Sequence, residues 1–388
     1  MKVYMDHGSG CPVDINVLEE MNRAALEIYG NPSSYHSAGF TAQKNIAKSR
    51  GQVASLIDSE PEEIFFTASA TEATNLALIG GAQRFKNKGN RIVISAIEHI
   101  TTINVAKELS RQGFEYQTAP VDSQGILKLD KLEELVTDKT LIVSVMTANG
   151  EMGTIQPIKE AADIAHRKGA LLHTDATAAL GKISLNPNQL GADMMTLSSN
   201  DIYGPKGVGG LYLRKNLRVR PVIIGGGQEQ GIRSGTENTP GIIGFGVAAE
   251  IAKREMPEES RRLAVLRDRL IKGILTTIPE AYLNGHSTLR LPHNANIRFN
   301  YIEGEALVLS LDNEDIAVGT GSACAAKTLE PSACLLAMGL KHEEAHGSLV
   351  FTLGKQNNND QVDYVIDKLP GIVKRLRAMS PLTPEELK

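Results

Sequence analysis

From about residue 60 to residue 213 the chain alternates short β-branched runs with longer amphipathic stretches. That alternation narrows the fold more than any other feature, because strands joined by helical crossovers lie parallel in one sheet with helices on its faces. The runs Ile64 to Thr67, Arg91 to Ser95, Phe114 to Pro120, Thr140 to Met146, Ala170 to Asp175, Asp193 to Ser199 and Gly209 to Leu213 read as strands. Thr71 to Phe85 and Lys159 to Lys168 read as two of the intervening helices. A further helix starts near Gly241 and ends near Arg254, and Met256-Pro257-Glu258 reads as a boundary. Beyond it come a helix from Glu259 to Thr277, a strand from Asn296 to Phe299 and a closing helix from Gln361 to Met379. The expected architecture is a large α/β domain followed by a smaller α+β domain.

A chain of 388 residues has ample area for such a core. Its 41 Lys and Arg against 45 Asp and Glu argue against electrostatic binding of nucleic acid and leave small molecules and proteins as partners. Cys11, Cys324 and Cys334 are too few for a disulfide framework and match no zinc-knuckle spacing, which points to a reducing cytosol. No apolar run reaches the ~18 residues of a membrane span, and the opening Met-Lys-Val-Tyr-Met-Asp has no leader pattern, so a soluble cytoplasmic protein is expected.

Several local patterns carry chemistry. Thr67-Ala68-Ser69-Ala70-Thr71-Glu72 follows a strand and opens a helix, so its N–H groups and the Thr71 hydroxyl point where a phosphate sits; the same residues also make ordinary N-caps. Asp175, Ser198 and Ser199 end strands and gather at the carboxyl edge of the sheet, where open α/β folds bind ligands. His342-Glu343-Glu344-Ala345-His346 matches the zinc-hydrolase pattern, although it reads first as a solvated helix start.

The stretch Ser198-Ser199-Asn200-Asp201-Ile202-Tyr203-Gly204-Pro205-Lys206-Gly207 resembles the cofactor-lysine segment of the NifS/IscS-type cysteine desulfurases, pyridoxal-phosphate enzymes of the class V aminotransferase group. Asn31-Pro32-Ser33-Ser34, Ala70-Thr71-Glu72, Glu98-His99, Gln156-Pro157, Asp175-Ala176, Gly225-Gly226-Gly227-Gln228-Glu229, Arg233-Ser234-Gly235-Thr236, Gly321-Ser322-Ala323-Cys324 and Ser380-Pro381-Leu382 follow in the family's order. The resemblance implies fold type I, with a large domain over residues 13–255 and a small one formed by 1–12 and 256–388. It implies that His99 stacks on the pyridine ring, Asp175 pairs with its nitrogen, and Ala70, Thr71 and Ser198 hold the phosphate. Thr236 then reaches the phosphate of a neighbouring subunit in a homodimer, and Cys324 takes the substrate's sulfur as a persulfide. An IscU-type iron–sulfur scaffold protein is the implied partner, docking near Met379-Ser380-Pro381-Leu382.

The chain also departs from that pattern, as a degenerate, archaeal-type member would. Asp201 stands at the Schiff-base lysine, and Lys206 already fills its own place in the intact Gly-Pro-Lys-Gly, so the register holds. Asn200 replaces a phosphate-contacting histidine. Gly150 and Ala178 replace the partners of the cofactor's phenolic oxygen, and Val350 replaces the arginine that clamps the substrate carboxylate. A second carboxylate ~5 Å from Asp175 at a dielectric of ~20 costs roughly 3 kcal/mol or takes up a proton. Covalent cofactor attachment is therefore not expected, and only noncovalent binding at partial occupancy remains open. The leading expectation is a partner subunit in cluster assembly without desulfurase activity, which offers the Cys324 thiolate, favoured by Lys327, as a ligand to cluster iron on the scaffold. The alternatives are an active desulfurase using noncovalent pyridoxal phosphate and a zinc hydrolase built on His342 and His346. Cys11 and Cys334 read as packing residues.

Overall fold

The computed structural model describes residues 1–321 and 331–387. Among the described residues twelve strands form two sheets. In chain order they are β1 (Val3–Met5), β2 (Ile64–Thr67), β3 (Arg91–Ser95), β4 (Glu115–Ala119), β5 (Thr140–Ser144), β6 (Leu171–Asp175), β7 (Met194–Ser198), β8 (Gly209–Leu213), β9 (Ala281–Asn284), β10 (Asn294–Phe299), β11 (Ile316–Thr320) and β12 (Ser348–Thr352). The large sheet has the order β2-β8-β7-β6-β5-β3-β4. Its central pairs are parallel and β8 runs antiparallel to both β7 and β2. Each of the seven strands expected from the alternation is present, with ends within two residues of their expected places.

The strands β5, β7 and β8 are buried at every position, as their unbroken apolar runs require of a sheet covered on both faces. On one face Val53, Ile57, Leu197, Tyr212 and Phe245 share a core under the helices Ser37–Leu56 and Thr239–Thr277. On the other, Leu76, Ile92, Ile94, Leu109 and Met194 pack under a helical stretch from Ala70 to Phe85 and the helix Ile100–Arg111. The stretch from Ala70 widens to a π-turn at Leu76–Gly80 just beyond its N-terminus.

The small sheet has the order β1-β11-β12-β10-β9, with β1 parallel to β11 and the remaining pairs antiparallel. Its Phe299 and Phe351 pack fully buried against Leu266, Leu270 and Ile274 and against Val365 and Leu369 of the closing helix Asn359–Met379; each phenyl ring contributes about 2–3 kcal/mol of burial. The expected break at Met256-Pro257-Glu258 is absent: one helix runs from Thr239 to Thr277 with Pro257 inside it. Proline removes one helical hydrogen bond, but Phe245 and Ile251 anchor the first half in the large core and Leu263 to Ile274 anchor the second half in the small one. Among the described residues no helix is long and apolar enough to cross a membrane.

Candidate active site

Because β2, β3, β6 and β7 point the same way, their carboxyl ends share one edge of the large sheet, and the expected site residues leave from those ends. After β2, Ser69 caps the helix, its hydroxyl accepting from the Glu72 amide at 3.1 Å. Ala70 and Thr71 occupy the first turn, half-buried and exposed respectively, where N–H groups lack helical partners. Glu72 is pinned by the Ala68 amide at 2.8 Å and by Arg233 at 2.8 Å, which fixes the turn. A side chain at Gly209 would come within 2.5 Å of the Ser69 backbone, so glycine there lets β8 run directly beneath the cradle.

After β3, the exposed His99 caps the helix Ile100–Arg111, with Nδ1 3.2 Å from the Thr101 amide and 3.0 Å from its hydroxyl. These contacts fix the plane of the imidazole. Glu98 beside it is buried and takes the Met146 amide at 2.6 Å; burial pushes its carboxyl well above the usual range. Asp175 ends β6 with one oxygen accepting from the Thr177 amide at 2.9 Å. Behind it His173 bridges the hydroxyls of Ser144 at 2.8 Å and Thr196 at 3.0 Å, and burial pushes its imidazole down to about 4, so the bridge is neutral.

After β7, Ser198 donates to Asn200 Oδ1 at 3.0 Å, and Asn200 Nδ2 donates to Asp201 Oδ2 at 3.0 Å. Enclosure pushes the Asp201 carboxyl up to about 6, against a hydrogen bond from Ser198 and the charge of Lys182, while Asp175 reinforces the rise. Lys182 was not foreseen. Its amino group donates to the Asp201 carbonyl at 3.0 Å, and burial lowers its affinity for a proton. Gly150 and Ala178 face one another, since a Cβ on Gly150 would stand 3.3 Å from the Ala178 methyl. The two lost contacts therefore lie on one side of the site. Val350 in β12 lies opposite Asn296 of β10, which donates to the Glu151 carbonyl at 3.2 Å, so this part of the small sheet faces the Asn149-Gly150-Glu151 turn.

The carboxyl edge therefore carries N–H and O–H groups at Ala70, Thr71 and Ser198, of the kind a phosphate takes, with the His99 imidazole, the Asp175 carboxyl and no amine at Asp201. Cys324 and Lys327 lie outside the described residues. Thr236 is exposed in the segment that follows Arg233. Cys11 donates to the His7 carbonyl at 3.3 Å, and burial raises its thiol to about 11, in keeping with a packing role. Cys334 is more engaged than expected: it contacts the Ile97 carbonyl at 3.7 Å, Asn149 Nδ2 at 3.6 Å and the Glu151 carboxyl. Burial lifts Glu151 to about 7. His342 and His346 stand one turn apart with ring centroids 4.9 Å apart, and among the described residues no three His, Cys, Asp or Glu side chains are grouped to hold a metal.

Residues 3–365 match the aminotransferase class-V family. Cysteine desulfurase IscS 1 of Archaeoglobus fulgidus is 54% identical over 98% of this chain and 99% of its own length. Cysteine desulfurase IscS of Methanosarcina thermophila is 45% identical over 99% of this chain and 95% of its own. The solved structure of a NifS-like protein superposes with a TM-score of 0.91 at 38% identity, covering 97% of this chain and all of the other.

These similarities overturn the expectation of a docking subunit without desulfurase activity, and with it the preference for a pseudoenzyme. The physical reason lies at Asp201. The expectation left its carboxyl either as a second negative charge that repels the cofactor or as a proton acceptor, and enclosure pushes that carboxyl up to about 6, toward the second. Family membership implies dependence on pyridoxal phosphate in general. The chain belongs to the class-V aminotransferases and, within them, to the NifS/IscS-type cysteine desulfurase family.

Proposed function

We propose that this chain is a cysteine desulfurase that releases sulfur from L-cysteine with noncovalently held pyridoxal phosphate. The observation that carries the reading is a protonatable carboxyl, Asp201, at the place of the missing amine, hydrogen-bonded by Asn200 beside Ser198. The bound cofactor supplies an electron sink for charge developing on the substrate's α-carbon. Ala70, Thr71 and Ser198 bind the phosphate through N–H and O–H donors. His99 stacks on the ring, its plane set by Thr101, and Asp175 pairs with the ring nitrogen. Asp201 Oδ2 holds and returns the proton that the family's lysine would carry. The Cys324 thiolate attacks the substrate sulfur. The new S–S bond makes a persulfide on Cys324 as the C–S bond breaks, and the carbon skeleton leaves as alanine after taking up a proton.

A homodimer, in which Thr236 reaches the neighbouring phosphate, and delivery of sulfur to an IscU-type scaffold near Ser380-Pro381-Leu382 belong to the same reading. In support of the dimer, Tyr29, Tyr35 and Ile224 are apolar side chains at least 80% exposed in the single chain. Domain limits of 13–255, and of 1–12 with 256–388, also belong to it, with the helix Thr239–Thr277 crossing between the two.

The test is alanine formation from L-cysteine by protein saturated with pyridoxal phosphate, beside an Asp201→Lys variant. Turnover by the unmodified chain that is lost in Cys324→Ser supports the reading. Turnover by Asp201→Lys alone defeats it.

A further inference from the structure

Ser198, Asn200 and Asp201 form a closed chain of side chains at the carboxyl end of β7. The Ser198 hydroxyl is 3.0 Å from Asn200 Oδ1 and also reaches the Asp201 carboxyl, while Asn200 Nδ2 is 3.0 Å from Asp201 Oδ2. A hydroxyl has one hydrogen to donate. Within this chain it is donated to Asn200 Oδ1 beside the Asp201 carboxyl, yet the phosphate cradle proposed above asks Ser198 for that same hydrogen. Both demands cannot be met at once.

We propose that Asn200 and Ser198 are positioning residues that couple the two halves of the site: an anion taken up at Ser198 withdraws the hydroxyl hydrogen from Asn200 and Asp201, and Asp201 answers by binding a proton from solvent. Losing the Ser198 hydrogen removes a donor that favours the ionised carboxylate, and the freed Asn200 amide no longer holds Oδ2 in place. The other charged and titratable groups around Asp201 are Lys182, whose amino group lies on the Asp201 carbonyl, and Asp175 and Cys11 at longer range. None of these hydrogen-bonds to Ser198, so each acts on Asp201 with or without the anion. By linkage, a protonated Asp201 strengthens anion binding by the same factor. The cofactor's arrival thereby places a proton on the group that the reaction uses. The inference rests on the phosphate-cradle part of the proposed function.

The test is carboxyl-carbon NMR of selectively labelled aspartate in the full chain, with the Asp201 signal identified by its loss in Asp201→Asn. The titration is followed without ligand, with inorganic phosphate, and with pyridoxine phosphate, which carries the ring and phosphate but no aldehyde. In the unmodified protein the Asp201 midpoint is expected to rise by about two pH units when either ligand is saturating. In Ser198→Ala and Asn200→Ala the resting midpoint is expected to be already raised, and the ligand adds less than half of the unmodified shift, which is the through-space charge of the anion. Equal shifts in all three proteins overturn the coupling and leave the cradle standing. Absence of any binding overturns the coupling and the cradle together. Asn200→His, which restores a donor at this position, separates loss of the relay from loss of folding.

Discussion

Replacing Asp201 by asparagine removes a titrating carboxyl and keeps its shape, so it isolates the electrostatic part of cofactor binding. Enclosure pushes the Asp201 carboxyl up to about 6. If anionic ligands favour the protonated form, their apparent affinity in the unmodified protein is nearly undiminished at pH 5 and falls about tenfold per unit above 6, reaching about a hundredfold at pH 8. The Coulomb estimate sets the ceiling: one unit charge at ~5 Å in a medium of dielectric ~20 is worth roughly 3 kcal/mol, itself about a hundredfold. Asp201→Asn is expected to erase this loss, binding pyridoxine phosphate about a hundredfold more tightly than the unmodified chain at pH 8 and equally at pH 5. Calorimetric titrations at pH 5, 6, 7 and 8 measure the gap. The ligand's own phosphate ionisation affects both proteins alike and cancels. Parallel pH profiles for the two proteins would refute the reasoning.

Other expectations concern groups that hold the site in place. Glu229 is buried and meets Arg50 at 2.6 Å and the Phe66 amide at 2.8 Å; Glu229→Ala takes the carboxylate from a partly buried guanidinium that keeps the Ile64 carbonyl at 2.6 Å, and should cost about 2–3 kcal/mol in denaturant unfolding. Glu151 titrates near 7 instead of 4.5, so its protonated form stabilises the fold fully below pH ~4.5 and that contribution is lost as the pH rises through 7. Glu151→Gln should therefore gain about 2–3 kcal/mol relative to the unmodified chain between pH 5 and pH 8, read from urea curves. A methyl on Gly354 would come within 2.5 Å of the buried His7 ring, so Gly354→Ala should cost about 1–3 kcal/mol and lower the melting temperature.

The large sheet was legible because a strand buried on both faces needs a largely apolar run, and β5, β7 and β8 supply one each. The helix through Pro257 was not, because local sequence signals a break while the burial of both halves, in two different cores, keeps it whole. At the site, residues at strand ends could be placed from their position alone: Thr71, Asp175 and Ser198 stand where the alternation put them. Lys182 and Glu151 were missed because their importance arises from enclosure, which no local pattern announces. At Asp201 sequence gives a carboxyl that either repels or takes a proton, and only its enclosure, which pushes it up to about 6, sets how far the balance moves.

The most direct test of the central claim is the fate of the substrate's sulfur. Protein saturated with pyridoxal phosphate is given L-cysteine labelled in its sulfur, and the peptide containing Cys324 is examined by mass spectrometry. Labelled persulfide on Cys324, with one alanine formed per persulfide and neither product in Cys324→Ser, is the predicted result. An unlabelled Cys324 in the unmodified protein, with labelled persulfide appearing in Asp201→Lys under the same conditions, would contradict the account.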